Sequence, residues 1–219
     1  MGQAYFEKKE FEKALPLLEE YVRHNDRVSK EIMYELSYCY FVQNQTQKAI
    51  EGFKQLSNEK DSMGQNSMYL LGSLYLKTGD KAAARNAFQF CAYNSSNARQ
   101  QQVSRFNYAK LSYELGFQDV ALKEIKSYLL DYPNSEYDTE AREILVLLLT
   151  NTSNFSEALQ LFESFRSPTV SMQKAYPKIL FGRAMEYLND QQLNKADDLL
   201  SQVIAHPYAA NIIPYAQYW

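Results

Sequence analysis

Glycine and proline are scarce in this sequence of 219 residues, which contains seven glycines and six prolines. Both residues weaken helices, glycine through its backbone entropy and proline through its missing N–H, so their scarcity favours a helix-rich chain. Long apolar runs are missing too: none approaches the ~20 residues that a helix needs to cross a bilayer, and the N-terminus has no basic region followed by an apolar stretch. We therefore expect no direct membrane insertion of this segment.

Residues that carry chemistry are also few. The only cysteines are Cys39 and Cys91, and the only histidines are His24 and His206. Each cysteine stands alone in an apolar stretch, which favours a small buried residue over a disulfide or a nucleophile. Neither histidine has a partner at i+4 that could build a zinc site, and no glycine-rich phosphate loop or Gly-x-Ser-x-Gly motif occurs. The sequence predicts no catalytic, cofactor-binding or metal-binding residues.

Positive charge is not in excess. The chain has 23 basic and 26 acidic residues, a net charge of -3. Proteins that bind nucleic acid usually show clustered lysine and arginine, so a nucleic-acid partner is disfavoured. The hydrophobic content of 46% is sufficient for a continuous core.

An internal repeat is the main feature that is present. An alanine recurs at steps of 35, 35, 37, 37 and 38 residues: Ala14, Ala49, Ala84, Ala121, Ala158 and Ala196. Four positions after each alanine stands a bulky apolar residue: Leu18, Phe53, Phe88, Ile125, Phe162 and Leu200. This spacing places both residues on one apolar helix stripe. The period indicates a solenoid, in which each unit buries its apolar face against its neighbours.

Residues before each alanine repeat as well. Twelve positions earlier stand residues that are small in all units but one: Gly2, Ser37, Gly72, Ala109, Val146 and Ala184. Nine positions earlier, tyrosine predominates: Tyr5, Tyr40, Tyr75, Ser112, Leu149 and Tyr187. This spacing resembles the tetratricopeptide repeat, a helix–turn–helix unit of about 34 residues. The resemblance covers essentially the whole chain and implies an all-α fold, a right-handed α-solenoid of helix–turn–helix repeats.

The repeat register predicts the organisation of the chain. We expect a single solenoid over residues 1–219 with six units, at 1–28, 30–63, 65–98, 102–135, 139–172 and 177–210, and the start of a seventh at 211–219. First helices are expected near 31–43, 66–78, 102–115, 137–151 and 175–189. Second helices are expected near 12–23, 46–58, 80–94, 119–131, 155–166 and 193–205. Both ends lack a complete terminal unit, so we expect an excerpt from a longer array.

The resemblance also implies a binding groove. If the units pack as in related proteins, first helices line a concave groove, which residues fifteen and eleven positions before the alanine face. These positions give the candidate protein-binding residues: Tyr34, Tyr38, Tyr69, Ser73, Phe106, Lys110, Leu147, Phe181 and Met185. Tyrosine suits recognition because it offers rigid area with a polar tip. The alternative is that these aromatic residues only fill space between units.

The groove residues favour one kind of partner. Chaperone-adaptor repeats of this family clamp a terminal carboxylate with Lys, Asn and Arg, where this chain has Tyr34, Tyr38, Tyr69 and Ser73. An extended peptide with apolar or aromatic anchors therefore fits better than a carboxylate-terminated one.

The expected function is a noncatalytic protein-protein interaction scaffold that binds a peptide or protein segment, without a cofactor. One alternative is a recruiting or dimerising module of a larger enzyme or envelope-assembly protein whose active part lies outside this sequence. Another is self-association through the uncapped ends. The unit length and the turn at 132–135 are similar to repeats of bacterial cell-envelope lipoproteins, which favours the periplasm or cell envelope over the cytoplasm.

Overall fold

The computed structural model describes all residues from Met1 to Trp219, and it is all-helical as expected. Its helices are α1 (Gly2–Glu7), α2 (Phe11–His24), α3 (Lys30–Val42), α4 (Thr46–Gln55), α5 (Ser62–Thr78), α6 (Lys81–Ala92), α7 (Ala98–Glu114), α8 (Gln118–Asp131), α9 (Asp138–Asn151), α10 (Phe155–Glu163), α11 (Val170–Asn189), α12 (Leu193–Ala205) and α13 (Ile213–Tyr218). No helix combines the length and the apolar character needed to span a membrane.

The helices form two compact units. Unit 1 comprises Met1–Leu115 and contains α1 to α7, and unit 2 comprises Gly116–Trp219 and contains α8 to α13. Within each unit, helices that follow one another in sequence pack together, and first helices of neighbouring repeats also touch, as α1 touches α3 and α9 touches α11. This is the packing expected of stacked helix–turn–helix repeats.

Each second helix has its repeat alanine on the buried stripe. All six of them are fully buried, and the apolar residues four positions later are at most 9% exposed. Alanine has the smallest side chain that still favours a helix, so it allows the second helix to approach its neighbours closely. The apolar stripe predicted from the sequence is confirmed.

Each turn between a first and a second helix contains one residue in the left-handed region, always five positions before the repeat alanine. These residues are Lys9, Asn44, Gly79, Gly116, Ser153 and Gln191, with φ between 58° and 82°. After Lys9, Asn44, Gly79, Ser153 and Gln191, the following residue donates its N–H to a carbonyl five residues back, as Asp80 does to Tyr75 at 2.9 Å. This is the usual left-handed end of a helix, which glycine adopts without strain. Of the six turn residues, only Gly79 and Gly116 are glycines.

Three first helices begin earlier than the repeat register predicts. The helix α5 begins at Ser62 rather than 66, α7 at Ala98 rather than 102, and α11 at Val170 rather than 175. In each case a polar side chain just before the helix accepts a hydrogen bond from a backbone N–H of the first turn: Asp61, Asn97 and Thr169. Such caps stabilise a helix start by about 1 kcal/mol, and the apolar register does not reveal them.

The helices α3 and α4 of unit 1 pack very closely against each other. A Cβ added to Gly52 in α4 would lie 2.0 Å from Ser37 Oγ and 2.9 Å from Ser37 Cβ in α3. Ser37 is the small residue that the sequence placed at the helix contact, and it is fully buried. Its partner across the contact, Gly52, was not recognised from the sequence.

Candidate functional site

Side chains that join first helices directly define one face of unit 1. Gln3 Nε2 in α1 donates to Glu35 Oε1 in α3 at 3.1 Å. The amide of Asn66 in α5 donates to the hydroxyl of Tyr34 in α3, and Gln100 Nε2 in α7 donates to Asn66 Oδ1. Because no second helix lies between these partners, α1, α3, α5 and α7 present a common surface. We call it the first-helix face of unit 1.

An aromatic cluster occupies the N-terminal part of this face. Tyr38 is at its centre, and the ring centroids of four other residues lie 5.5 to 6.1 Å from its own: Phe6, Tyr34 and Phe41 on first helices, and Phe11 at the start of the second helix α2. All five rings are half-buried. The structure therefore places the candidate residues Tyr34 and Tyr38 together with three phenylalanines that are not among the candidates. Phe6 and Phe41 both stand eight positions before a repeat alanine, and this shared register could have identified them.

The remaining candidates of unit 1 lie on α5 and α7. Tyr69 is half-buried and meets Phe88 edge-on at 6.2 Å, and Ser73 Oγ donates to the carbonyl of Tyr69 at 3.1 Å. Phe106 departs from the expectation because it is only 2% exposed, so its ring packs inside the unit and offers no binding surface. Lys110 is half-buried, with Nζ 6.0 Å from the centroid of the Phe106 ring.

Glu35 is the unusual charged group of this face. Burial raises the pKa of its carboxyl, the hydrogen bond from Gln3 opposes that rise, and the negative charges of Glu7 and Glu31 add to it. Its second oxygen, Oε2, is buried and has no hydrogen-bond partner. Burial likewise raises the pKa of the neighbouring Tyr34.

The first-helix face of unit 2 is more aliphatic. Leu147 in α9 and Phe181 and Met185 in α11 are all half-buried. Phe181 and Met185 pack against one core cluster, so they lie close together. On the same helices, Thr169 Oγ1 donates to Glu143 Oε1 at 2.7 Å, which ties the start of α11 to α9.

Comparison with known proteins identifies the family. Sequence models of the tetratricopeptide repeat match residues 1–57 and 65–95. The chain contains tetratricopeptide repeats. The resemblance found in the sequence is thereby confirmed, and the chain is a protein-interaction scaffold of the kind that these repeats form. No protein with a curated description matches the sequence.

Solved structures agree on the fold. MamA is 18% identical with a TM-score of 0.53, over 85% of this chain and 96% of its own. YrrB, described as a tetratricopeptide-repeat protein with an unusual peptide-binding site, is 16% identical with a TM-score of 0.50, over 92% of this chain and 98% of its own. PilF of Pseudomonas aeruginosa is 12% identical with a TM-score of 0.51, over 93% of this chain and 87% of its own. At these identities the likeness shows the fold alone.

The cysteines and histidines of this tetratricopeptide-repeat protein occupy ordinary positions. Cys39 and Cys91 are fully buried, as predicted, and burial raises the pKa of their thiols to about 11 and about 12. Both thiols are therefore protonated at neutral pH. His24 Nδ1 lies 2.8 Å from the carbonyl oxygen of Glu20 at the end of α2, and partial burial lowers the pKa of His206.

A second surface of unit 1 was not anticipated from the sequence. An open pocket of about 650 Å³ lies beside α6 and is lined by Lys60, Asn86, Gln89, Phe90, Tyr93, Asn94, Ser95 and Ser96. Tyr93 is 63% exposed there. It stands outside the apolar stripe of α6, which is why the repeat register does not point to it.

Proposed function

We propose that this protein is a noncatalytic scaffold that binds an extended segment of a partner protein on the first-helix face of unit 1. The observation that carries the proposal is the aromatic cluster around Tyr38. Its five rings pack against the core of unit 1, and each is half-buried, so part of every ring remains exposed. Aromatic residues in such a position supply much of the binding energy at protein interfaces, because they bury large rigid areas.

Polar groups beside the cluster favour an extended segment over a folded one. The hydroxyl of Tyr34 and the amides of Asn66 and Gln100 follow one another from α3 to α7. An extended peptide exposes a backbone donor and acceptor at each residue, and side-chain amides can satisfy both. The neutral residues Tyr38 and Ser73, at positions where a carboxylate clamp needs cations, further support binding of an internal segment with apolar anchors.

The first-helix face of unit 2 would provide a separate apolar surface. Leu147 and Met185 offer aliphatic and thioether surface there in addition to the ring of Phe181, and flexible side chains of this kind adapt to different partners more easily than rigid rings do. Selectivity is therefore expected to come mainly from unit 1.

A display selection of random dodecapeptides against the full chain tests the proposal. Peptides that bind wild type should bind at least roughly tenfold more weakly to a variant carrying Tyr34→Ser and Tyr69→Ser, because it loses two anchoring rings. The matched control is Tyr21→Ser, which removes a ring that is 44% exposed on the second helix α2. Circular dichroism and thermal unfolding verify that both variants keep their helices. Equal binding by wild type and the double variant would refute the proposal.

A further inference from the structure

We propose that the partner segment carries a lysine or arginine that binds Glu35, next to the aromatic cluster. This inference rests on the proposed function, because it assumes that an extended segment binds the first-helix face of unit 1. It adds the chemical class of the segment: a basic side chain flanked by apolar anchors.

The first reason is the geometry of the Glu35 carboxylate. Oε1 already accepts a hydrogen bond from Gln3 at 3.1 Å, whereas Oε2 is buried and accepts none. A buried acceptor without a donor is unfavourable, and more so when it carries charge. Because Oε2 is closed off from solvent, the Glu35 side chain has to turn outward before a cationic donor of a bound segment reaches it, and the two then form a charge-assisted hydrogen bond.

The second reason is the surrounding charge. Glu7 and Glu31 lie close enough to Glu35 to repel its negative charge, and none of the three forms an ion pair. The next cation in sequence, Lys30, is held by Glu59 at 3.0 Å and by Asp61 at 2.8 Å. A backbone hydrogen bond and the positive charge of Lys30 lower the pKa of Glu31, whereas Glu7 and Glu35 have no ion-pair partner within the unit, so a positive segment would be complementary to these two carboxylates.

The third reason is the position of Tyr38. It stands three residues after Glu35 on α3, so the two side chains are neighbours on the helix surface. The long apolar stem of a lysine or arginine could lie along this ring while its charged end reaches the carboxylate. One side chain of the partner would then contact both the charged group and the aromatic cluster.

The test uses the same dodecapeptide selection, with Glu35→Gln as the variant and Glu20→Gln on the exposed side of α2 as the matched control. The expected result is that peptides selected on wild type share a lysine or arginine at one position. Such peptides should lose about tenfold in affinity on Glu35→Gln, as expected for a partly buried charged hydrogen bond, and be unchanged on Glu20→Gln. Replacing the shared basic residue by methionine should weaken binding to wild type but not to Glu35→Gln.

Two results would overturn the inference, and they differ in what else they overturn. In the first result, the peptides no longer bind the Tyr34→Ser, Tyr69→Ser double variant, yet they share no basic residue or bind Glu35→Gln as tightly as wild type. This would refute the inference and leave the proposed function intact. Peptides that bind the tyrosine variant as tightly as wild type would refute the proposed function, and the inference with it.

Discussion

The left-handed turn residue of each repeat allows backbone strain to be measured apart from packing. Gly79 has φ 81°, and no atom lies within 4 Å of the place where a Cβ would stand. Gly79→Ala therefore adds a methyl group that touches nothing. The left-handed conformation costs an alanine roughly 1–2 kcal/mol, of which about 0.5–1 kcal/mol is regained because alanine restricts the unfolded chain. The difference of the two central values is a net loss of about 0.75 kcal/mol, within a range of about 0–1.5 kcal/mol.

The reverse substitution should stabilise the repeats that lack glycine at this position. Gln191 is exposed and has φ 59° in the turn between α11 and α12. Gln191→Gly releases the same strain and should raise stability by up to about 1 kcal/mol. The control makes the same change at Gln202, an exposed residue inside α12. Gln202→Gly should instead lower stability by roughly 0.5–1 kcal/mol, because glycine disfavours a helix interior.

Urea unfolding followed by circular dichroism measures both the losses and the gain in stability. The transition midpoint should fall for Gly79→Ala and Gln202→Gly and rise for Gln191→Gly. If Gln191→Gly lowered the midpoint as much as Gln202→Gly does, the left-handed turn would not exist at that position and the reasoning would be refuted.

Three further predictions concern unit 1. Gly52→Ala should destabilise it by about 1–3 kcal/mol in urea unfolding, since the added methyl would lie 2.9 Å from Ser37 Cβ and force α3 and α4 apart; an unchanged midpoint would contradict this close contact. Cys91, fully buried with a pKa raised to about 12, should react with a thiol reagent only as fast as unit 1 opens, and rapid labelling in the native state would contradict its burial. Tyr40→Phe should cost about 1 kcal/mol at neutral pH, because the Tyr40 hydroxyl donates to Glu19 at 2.8 Å and lowers the pKa of that carboxyl. The deficit should shrink as pH falls below the ordinary carboxyl value of 4.5, and a pH-independent deficit would refute the role of the Glu19 charge.

The repeat register predicted which segments become helices because it follows the buried stripe, which is the strongest constraint in a stacked array. It did not predict where first helices begin, since a single capping side chain such as Asp61 decides that locally. It also missed the left-handed turn at Lys9, Ser153 and Gln191. These residue types do not favour the left-handed conformation, so the sequence gives no local signal for it.

The candidate site was predicted in part for a related reason. The register put Tyr34 and Tyr38 one helical turn apart, and their ring centroids lie 6.1 Å apart, but the register could not tell which rings are covered by neighbouring side chains. Phe106 occupies the same register position as Tyr34, yet neighbouring side chains cover it. Exposure depends on contacts between helices, and one chain's periodicity does not contain that information.

Photo-crosslinking would show whether a peptide binds on the first-helix face of unit 1. A dodecapeptide selected on the full chain would carry benzoylphenylalanine at one apolar position, and mass spectrometry would locate the crosslinked residues. We expect crosslinks on α1, α3 and α5, concentrated around Tyr38 and Tyr69. Crosslinks confined to the second helices α2, α4 and α6, or to the pocket beside Tyr93, would contradict this expectation.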